Sequence, residues 1–165
     1  MNDSLRTIQK TKQQKRQSDC PINYTFEVIA NKWAFLVLRD IVYYGKHTYN
    51  EFLASAEGVT TSMLADRLAD LEREGILQKT RSKIDGRKEI YSLTDKGLSL
   101  IPVLIELSTW GIRYDTNLDR SMDMTLEKHL KSDRAKVVEL IRESVKAGRS
   151  VFVGEGNVIN KLKAV

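Results

Sequence analysis

The chain has 165 residues, of which 41% are hydrophobic, so it can bury a core and is not a disordered segment. A single cysteine excludes an intrachain disulfide, and no apolar run approaches the roughly 20 residues that cross a bilayer, so we expect a cytoplasmic protein without membrane contact. The net charge is +5, and residues 1–19 and 77–91 each carry five basic and two acidic side chains, which concentrates the positive charge in two segments.

The first segment of the chain, residues 1–18, is rich in Lys, Gln, Ser and Thr and is predicted to be a basic polar tail, with a polar helix from Leu5 to Gln17 as the alternative. A helix is then expected to follow, because Asp19 is a good N-cap and Pro21 is tolerated in a first turn.

Three further helices are predicted before residue 76. An apolar helix runs from about Lys32 to Tyr44, and a short one begins at Thr48. After a break around Gly58, Thr60 is the N-cap of another helix, which Gly75 ends. Two helices joined by a short turn with a glycine are typical of a helix-turn-helix.

The pattern then changes to strand-like segments at Ile76–Ile84 and Lys88–Leu93, with Asp85-Gly86 between them. An Asp-Gly pair flanked by such segments indicates a β-hairpin. A hairpin directly after a helix-turn-helix predicts a winged helix-turn-helix fold, which is mainly α with a small β-hairpin wing.

Beyond the hairpin, Thr94 is predicted to cap a long apolar helix that Pro102 kinks or interrupts. Residues 115–165 form a C-terminal extension that is expected to be helical, with a short strand at 151–153 and a turn at 154–157 as its least regular part.

The helix that begins after Thr60 is the candidate recognition helix, because an α-helix fits the major groove of B-DNA and its N-terminal residues reach base edges. Leucines at 64, 68 and 71 face the core, so Asp66 and its neighbours face outward, with Arg67 at the margin. The alternative is an ordinary capped surface helix. The predicted DNA contacts on this helix are Thr60, Thr61, Ser62, Ala65 and Arg67.

The hairpin supplies the second set of candidate DNA contacts. Lys79, Arg81 and Lys83 alternate along one predicted strand and therefore project from one face, while Arg87 and Lys88 follow the turn. A cationic hairpin tip can lie on a phosphate backbone or enter a minor groove. The alternative is a solvated edge hairpin that its charges protect from aggregation.

Ordered short motifs over residues 20–112 resemble the HxlR family of winged-helix regulators. They are Cys20-Pro21, Val28-Ile29, Lys32-Trp33, Leu36–Arg39, Met63-Leu64, Arg67-Leu68, Leu71-Glu72, Gly75-Ile76, Tyr91–Thr94 with Gly97, and Leu104–Gly111. The resemblance implies a homodimer, built largely from helices that flank the winged core, on a pseudo-palindromic operator. It thus divides the chain into a tail (1–18), a DNA-binding domain with dimerisation helices (19–114) and an extension (115–165).

Two departures from the family pattern bear on this interpretation. Ser62 and Asp66 stand where the family commonly has longer polar or basic residues, and a carboxylate in the groove is repelled by phosphate although it can accept from cytosine N4. Residues 115–165 extend beyond the usual end of the family and either pack on the surface, enlarge the dimer interface or contact another protein.

Cys20 is a candidate thiol sensor, because it lies at a predicted helix start where the dipole favours the thiolate. Some members of the family that the chain resembles sense quinones, aldehydes or oxidants at this position. With no second cysteine, oxidation would join two subunits or attach a small thiol. The alternative is an inert, partly buried cysteine.

No residue pattern predicts catalysis, a metal site or a cofactor. His47 and His129 lack metal-ligand spacing, and Gly154-x-Gly156 is too short for a phosphate loop. The aromatic residues are expected in the core or a dimer interface, where a pocket for a small apolar effector is the alternative. They are Phe26, Trp33, Phe35, Trp110 and Tyr114.

We therefore expect a dimeric, sequence-specific regulator of transcription that binds double-stranded DNA, acts as a repressor, and responds to a small effector or a thiol-reactive electrophile. The alternative is a winged-helix module for protein–protein contact without DNA binding, which a basic wing disfavours.

Overall fold

The computed structural model describes residues 18–29, 31–115, 117 and 123–164, and these fall into two compact units on either side of residue 30. In the first unit, α1 spans Pro21–Ile29 and begins one residue later than predicted, so Cys20 rather than Asp19 directly precedes it. Proline is tolerated there because the first N–H of a helix has no partner within the helix. The alternative helix at Leu5–Gln17 lies outside the described residues.

The second unit begins with α2 at Lys32–Tyr44, and the side chain of Asn31 caps its first turn. Gly45 ends this helix with a φ of 65°, and its N–H bonds to the carbonyl of Ile41. The inward face of α2 carries the aliphatic side chains of Val37, Leu38, Ile41 and Val42, which form the centre of the core.

Helices α3 (Tyr49–Leu53) and α4 (Thr61–Arg73) form the predicted helix-turn-helix. Thr48 and Glu51 close a capping box on α3, and the hydroxyl of Thr60 accepts the N–H of Met63 at the start of α4. The predicted N-cap at Thr60 is therefore confirmed, and Thr48, predicted to begin the short helix, is the N-cap of α3. Helix α4 packs on α2 through its buried leucines, Leu64, Leu68 and Leu71.

Strands β1 (Leu77–Arg81) and β2 (Glu89–Leu93) pair antiparallel in the wing, with Arg81 opposite Glu89. Both strands are shorter than predicted, and residues 82–88 form the connection. The hairpin that Asp85-Gly86 predicted is confirmed, although Gly86 does not adopt a positive φ. Instead, Asp85 accepts the N–H of Lys88 on its carbonyl and that of Arg87 on its carboxylate.

The predicted interruption at Pro102 is confirmed. Thr94 caps α5 (Asp95–Leu98), and α6 (Ile101–Tyr114) begins after two non-helical residues with Pro102 in its first turn. Gly97 has no room for a Cβ against the carbonyl oxygen of Ile76, so the wing and α5 meet without a side chain between them.

The C-terminal extension consists of α7 (Asp123–Ser132), α8 (Arg134–Lys146) and α9 (Val158–Lys163). Helix α8 packs against α2 and α6. The predicted strand at 151–153 is wrong. The N–H groups of Val151 and Phe152 instead bond to the carbonyls of Val42 and Tyr43, which the C-terminal turn of α2 leaves without helical partners.

The turn predicted after this segment is confirmed by the positive φ of Gly154 and Gly156. Within residues 18–29, 31–115 and 123–164, no helix combines the length and the apolar character that crossing a bilayer demands.

Candidate nucleic-acid interface

The N-terminal half of α4 presents its polar side chains to solvent. Thr60, Thr61, Ser62 and Ala65 are exposed, while Leu64 is buried on the opposite side. The hydroxyl of Tyr49 on α3 donates to the backbone carbonyl of Thr61 at 2.8 Å, which fixes the first turn of α4. The structure therefore places the predicted recognition residues together on one accessible surface, which we call the α4 face.

The predicted DNA contacts on α4 differ in whether their side chains already make hydrogen bonds or ion pairs within the protein. The hydroxyl of Thr60 accepts from Met63, so it is committed to the helix cap. Arg67 is only one-third exposed, and its guanidinium lies 2.8 Å from the carboxylate of Asp70. The same carboxylate also pairs with Arg73 at 2.7 Å. Asp70 therefore pairs with both arginines of α4, and Arg73 also lies 3.6 Å from Glu74.

Lys79 contributes to the joint between the wing and α4. Its ammonium lies 3.3 Å from Glu89 across the hairpin, 3.9 Å from Glu72 on α4, and 5.9 Å from the ring of Tyr91. Its pKa is raised above the ordinary value, chiefly by the hydrogen bond to Glu89. Sequence reasoning grouped Lys79 with the free cations of the wing, but it bridges two elements.

The other wing cations are exposed and lie near the tip. Arg81 ends β1, whereas Lys83 lies in the connecting loop and not on the strand as predicted. Arg87 approaches Asp85 at 3.5 Å with its side chain 94% exposed. In the described part of the chain, Arg81, Lys83 and Lys88 make no ion pair. We call Arg81, Lys83, Arg87 and Lys88 the wing-tip cations.

Ile84 is a residue of this surface that sequence reasoning missed. It lies in the wing loop between Lys83 and Asp85 and is 100% exposed. The hairpin pattern placed Ile84 at the end of a predicted strand, just before the Asp-Gly pair, and this position was the signal that could have indicated an exposed tip residue. An exposed aliphatic side chain among cations resembles the apolar wedges with which some proteins enter the minor groove.

A cleft of ≈ 810 Å³ separates the wing tip from the start of α3. Three of the wing-tip cations line one wall, and the turn Thr48–Glu51 lines the other. Although burial opposes it, backbone hydrogen bonds from His47 and Thr48 hold the pKa of Glu51 below its usual range. The Glu51 carboxylate therefore accepts hydrogen bonds at the N-terminus of α3.

Beneath the helix-turn-helix lies an ionic cluster that the sequence did not reveal. The buried carboxylate of Asp40 accepts from Arg39 at 2.6 Å, from Lys46 at 2.9 Å and from the hydroxyl of Ser55. Arg39 also pairs with Glu57 in the turn before α4. The hydrogen bond from Arg39 lowers the pKa of Glu57 to about 2. The cluster ties that turn to α2.

An exposed apolar stripe runs along α6. Val103, Leu107, Trp110 and Tyr114 are spaced by four, three and four residues, so they share one side of the helix. Trp110 is 67% exposed and stacks on Tyr114 with ring centroids 5.1 Å apart. Trp110 and Tyr114 were predicted to lie in the core or in a dimer interface. Because both are exposed, they do not belong to the core of the described chain.

The other predicted aromatics and the cysteine are placed as follows. Trp33 and Phe35 on α2 are half-buried, and Phe26 on α1 is exposed. Cys20 is an exposed free thiol directly before α1, so the alternative of a partly buried cysteine is wrong.

The α3–turn–α4 pair followed by the β1–β2 hairpin defines a winged helix-turn-helix protein. The profile of the HxlR-like helix-turn-helix family matches residues 28–119, more than half of the chain. The chain therefore belongs to the HxlR family of helix-turn-helix regulators, as its sequence motifs predicted. The family and the relatives below are transcriptional regulators, so the protein is a regulator and not an enzyme.

The relatives share the winged region. The chain is 34% identical over 101 residues to the HTH-type transcriptional regulator YdeP of Bacillus subtilis, covering 61% of this chain and 78% of YdeP. The structure of PA1607 matches with a TM-score of 0.57 at 31% identity, over 63% of this chain and 72% of PA1607. The redox regulator HypR in its oxidized form matches with a TM-score of 0.53 at 31% identity, over 58% of this chain and 98% of HypR.

Proposed function

We propose that this regulator binds double-stranded DNA as a homodimer, with α4 in the major groove and the wing on the neighbouring backbone. The observation that carries the proposal is the exposed α4 face beside a wing whose tip bears four exposed cations. The bridge from Lys79 to Glu72 holds the two elements side by side. Hydroxyls at a helix N-terminus suit base edges and phosphates, and exposed cations suit phosphates.

The apolar stripe of α6 supports the dimer. A single chain leaves Leu107 and Trp110 more than half exposed, and burying such side chains against a second copy is favourable. A two-fold interface uses the same patch on both subunits, so two α4 faces would meet a pseudo-palindromic operator with half-sites about 34–36 Å apart. Light scattering tests this. The wild type should be a dimer, and Trp110→Glu should be a monomer that keeps its helical circular dichroism.

DNA binding is tested by selecting duplexes from a random-sequence pool and measuring their affinity by fluorescence anisotropy at two salt concentrations. Enrichment of a two-fold symmetric sequence and a steep loss of affinity with salt are expected. The rival function, a winged helix for protein contact, predicts neither result.

We further propose repression, since a dimer on a promoter excludes RNA polymerase from the same DNA. A reporter driven by a promoter that contains the selected sequence should fall in expression when the regulator is produced. A rise in expression would assign activation instead.

A second proposal is that Cys20 makes DNA binding respond to oxidants or electrophiles. Its exposed thiol and the likeness to HypR, a redox regulator, favour this response over one to a non-covalent effector. Diamide would oxidise two thiols to an intersubunit disulfide while its N=N bond accepts two electrons and two protons. Cys20→Ser should abolish operator release by diamide or a quinone, and an unchanged response would remove the idea.

A further inference from the structure

Asp66 is exposed directly after Ala65 and extends the α4 face toward the middle of the helix. Ser62, Asp66, Ala69 and Arg73 follow one another at spacings of four, three and four residues, and all four are exposed. This line lies opposite the buried leucines of α4. A helix that enters a groove with its exposed side therefore carries the Asp66 carboxylate at the centre of the contact.

The charge of Asp66 is not neutralised within the described chain. The 13 residues of α4 carry three acids and two arginines, a net charge of −1 in a chain of net +5. Asp70 pairs with both arginines and Glu72 lies near Lys79, whereas Asp66 makes no ion pair with any described residue. A free carboxylate among phosphates weakens binding to every DNA sequence unless a base supplies a donor.

The neighbours of Asp66 allow a base edge to come close. Ser62 and Ala69, four residues before it and three after it, are small, as is Ala65 beside it, and the longer side chain of Met63 is 39% exposed. A short carboxylate reaches a base only when the helix backbone approaches closely, and longer neighbouring side chains would hold the helix away.

We propose, on the basis of the proposed function, that Asp66 selects a cytosine in each operator half-site by accepting a hydrogen bond from its N4 amino group. A carboxylate only accepts, so guanine N7 and O6 and thymine O4 repel it. Adenine offers its N6 donor beside the N7 acceptor. Cytosine presents its N4 amino donor beside one acceptor, O6 of the paired guanine, whereas adenine N6 lies between its own N7 and O4 of the paired thymine, which makes cytosine the favoured partner.

The experiment selects duplexes from a random-sequence pool with the full-length wild type, Asp66→Ala, Asp66→Asn and the control Glu139→Ala. Glu139 is an exposed acid on α8, so its removal changes the net charge equally without touching the α4 face. Alanine and asparagine at an exposed helix position leave the core intact.

The wild type and Glu139→Ala should share a sequence with one fixed cytosine in each half-site. Asp66→Ala should lose the five- to tenfold or so preference for that cytosine while binding other sequences more tightly. Asp66→Asn should move the preference to adenine, whose N6 and N7 an amide pairs with. If Asp66→Ala keeps the wild-type sequence at every position, the assignment is overturned while DNA binding stands. A wild type that enriches nothing overturns the proposed function and the assignment together.

Discussion

The recognition helix and the wing tip are neighbouring parts of one surface, yet they handle charge in opposite ways. On α4, Asp70 holds both arginines along the helix, and the exposed centre is made of hydroxyls, alanines and one carboxylate. In the wing, the tip cations are exposed to solvent, and among the described residues only Arg87 of the four makes an ion pair, with Asp85 at 3.5 Å.

The difference indicates a division of labour, in which the wing supplies affinity for DNA and α4 supplies sequence discrimination. Exposed cations bind any phosphate backbone, so the wing supplies affinity that depends on salt. Hydroxyls and a carboxylate add little attraction for phosphate but distinguish base edges, so α4 supplies discrimination. The variants below separate these two contributions.

The largest effect is expected from removing the wing-tip cations. Replacing all four by alanine should weaken binding to every duplex by about a thousandfold or more at physiological salt, because the release of counterions is abolished on both subunits. The slope of log affinity against log salt should flatten by about 0.9 for each phosphate that the protein no longer neutralises. Fluorescence anisotropy over a salt series measures both. The residues changed are Arg81, Lys83, Arg87 and Lys88.

A matched control removes four exposed cations of the C-terminal extension, which lowers the net charge equally. Its affinity should stay within about threefold of the wild type, since net charge alone acts weakly at a Debye length of about 8 Å. Equal losses in the two variants would contradict a local role for the wing. The control residues are Lys128, Lys136, Arg149 and Lys163.

Removing the hydroxyls of the α4 face should reduce sequence discrimination without changing the salt dependence, the opposite of removing the wing-tip cations. The double variant Thr61→Ala with Ser62→Ala should reduce the ratio of affinities for the operator and a scrambled duplex by about tenfold, while the salt slope stays unchanged. Ser132→Ala, at an exposed hydroxyl that ends α7, is the control. A flatter slope in the double variant would place these hydroxyls on phosphates only.

Lys79, 36% exposed and near two acids, and Arg87, 94% exposed and near one, test whether the extent of pairing decides which cation binds DNA. Arg87→Ala should weaken all sequences alike and lower the salt slope by about one per subunit. Lys79→Ala should change the slope by less than half as much, because Glu72 and Glu89 already neutralise it. It should instead lower Tm by about 1–3 °C. Equal slope changes would mean that Lys79 leaves its acids for a phosphate.

The smallest effect on DNA binding is expected from Glu57→Gln, which weakens the support beneath the helix-turn-helix. Because folding lowers the pKa of Glu57 from 4.5 to about 2, the stability it contributes is full above pH 4.5 and lost as the pH falls through about 2. The variant should melt about 1–3 °C below the wild type at pH 7, and the gap should close between pH 4.5 and 2.

Glu139→Gln, at an exposed acid on α8 without an ion pair among the described residues, should show no such gap. A difference in Tm between Glu57→Gln and the wild type that persists below pH 2 would contradict the role of this ion pair.

Features of the fold that depend on local sequence could be predicted. Thr48, Thr60 and Thr94 cap helices because a hydroxyl before a helical segment meets free N–H groups within two or three residues. Pro102 interrupts a helix for an equally local reason. The exposed side of α4 followed from the spacing of Leu64, Leu68 and Leu71.

Features that depend on distant partners could not be predicted. Val151 and Phe152 have the composition of a strand, but their partners are carbonyls at the end of α2, more than a hundred residues away. In the sequence, Lys79 cannot be distinguished from the other basic residues of the wing, because its partners Glu72 and Glu89 come close to it only in the folded chain. Asp40 pairs with Arg39 and Lys46 on or beside its own helix, but the hydroxyl of Ser55 reaches it only when the chain after α3 folds onto α2.

The salt dependence of the wild type on two duplexes is the sharpest single test of the division of labour between α4 and the wing. Affinity for the selected operator and for its scrambled counterpart should be measured from about 50 to about 300 mM KCl. We expect two steep, parallel lines, offset by a constant ratio that the α4 face supplies. Two flat lines, or one common line without any offset, would contradict this division.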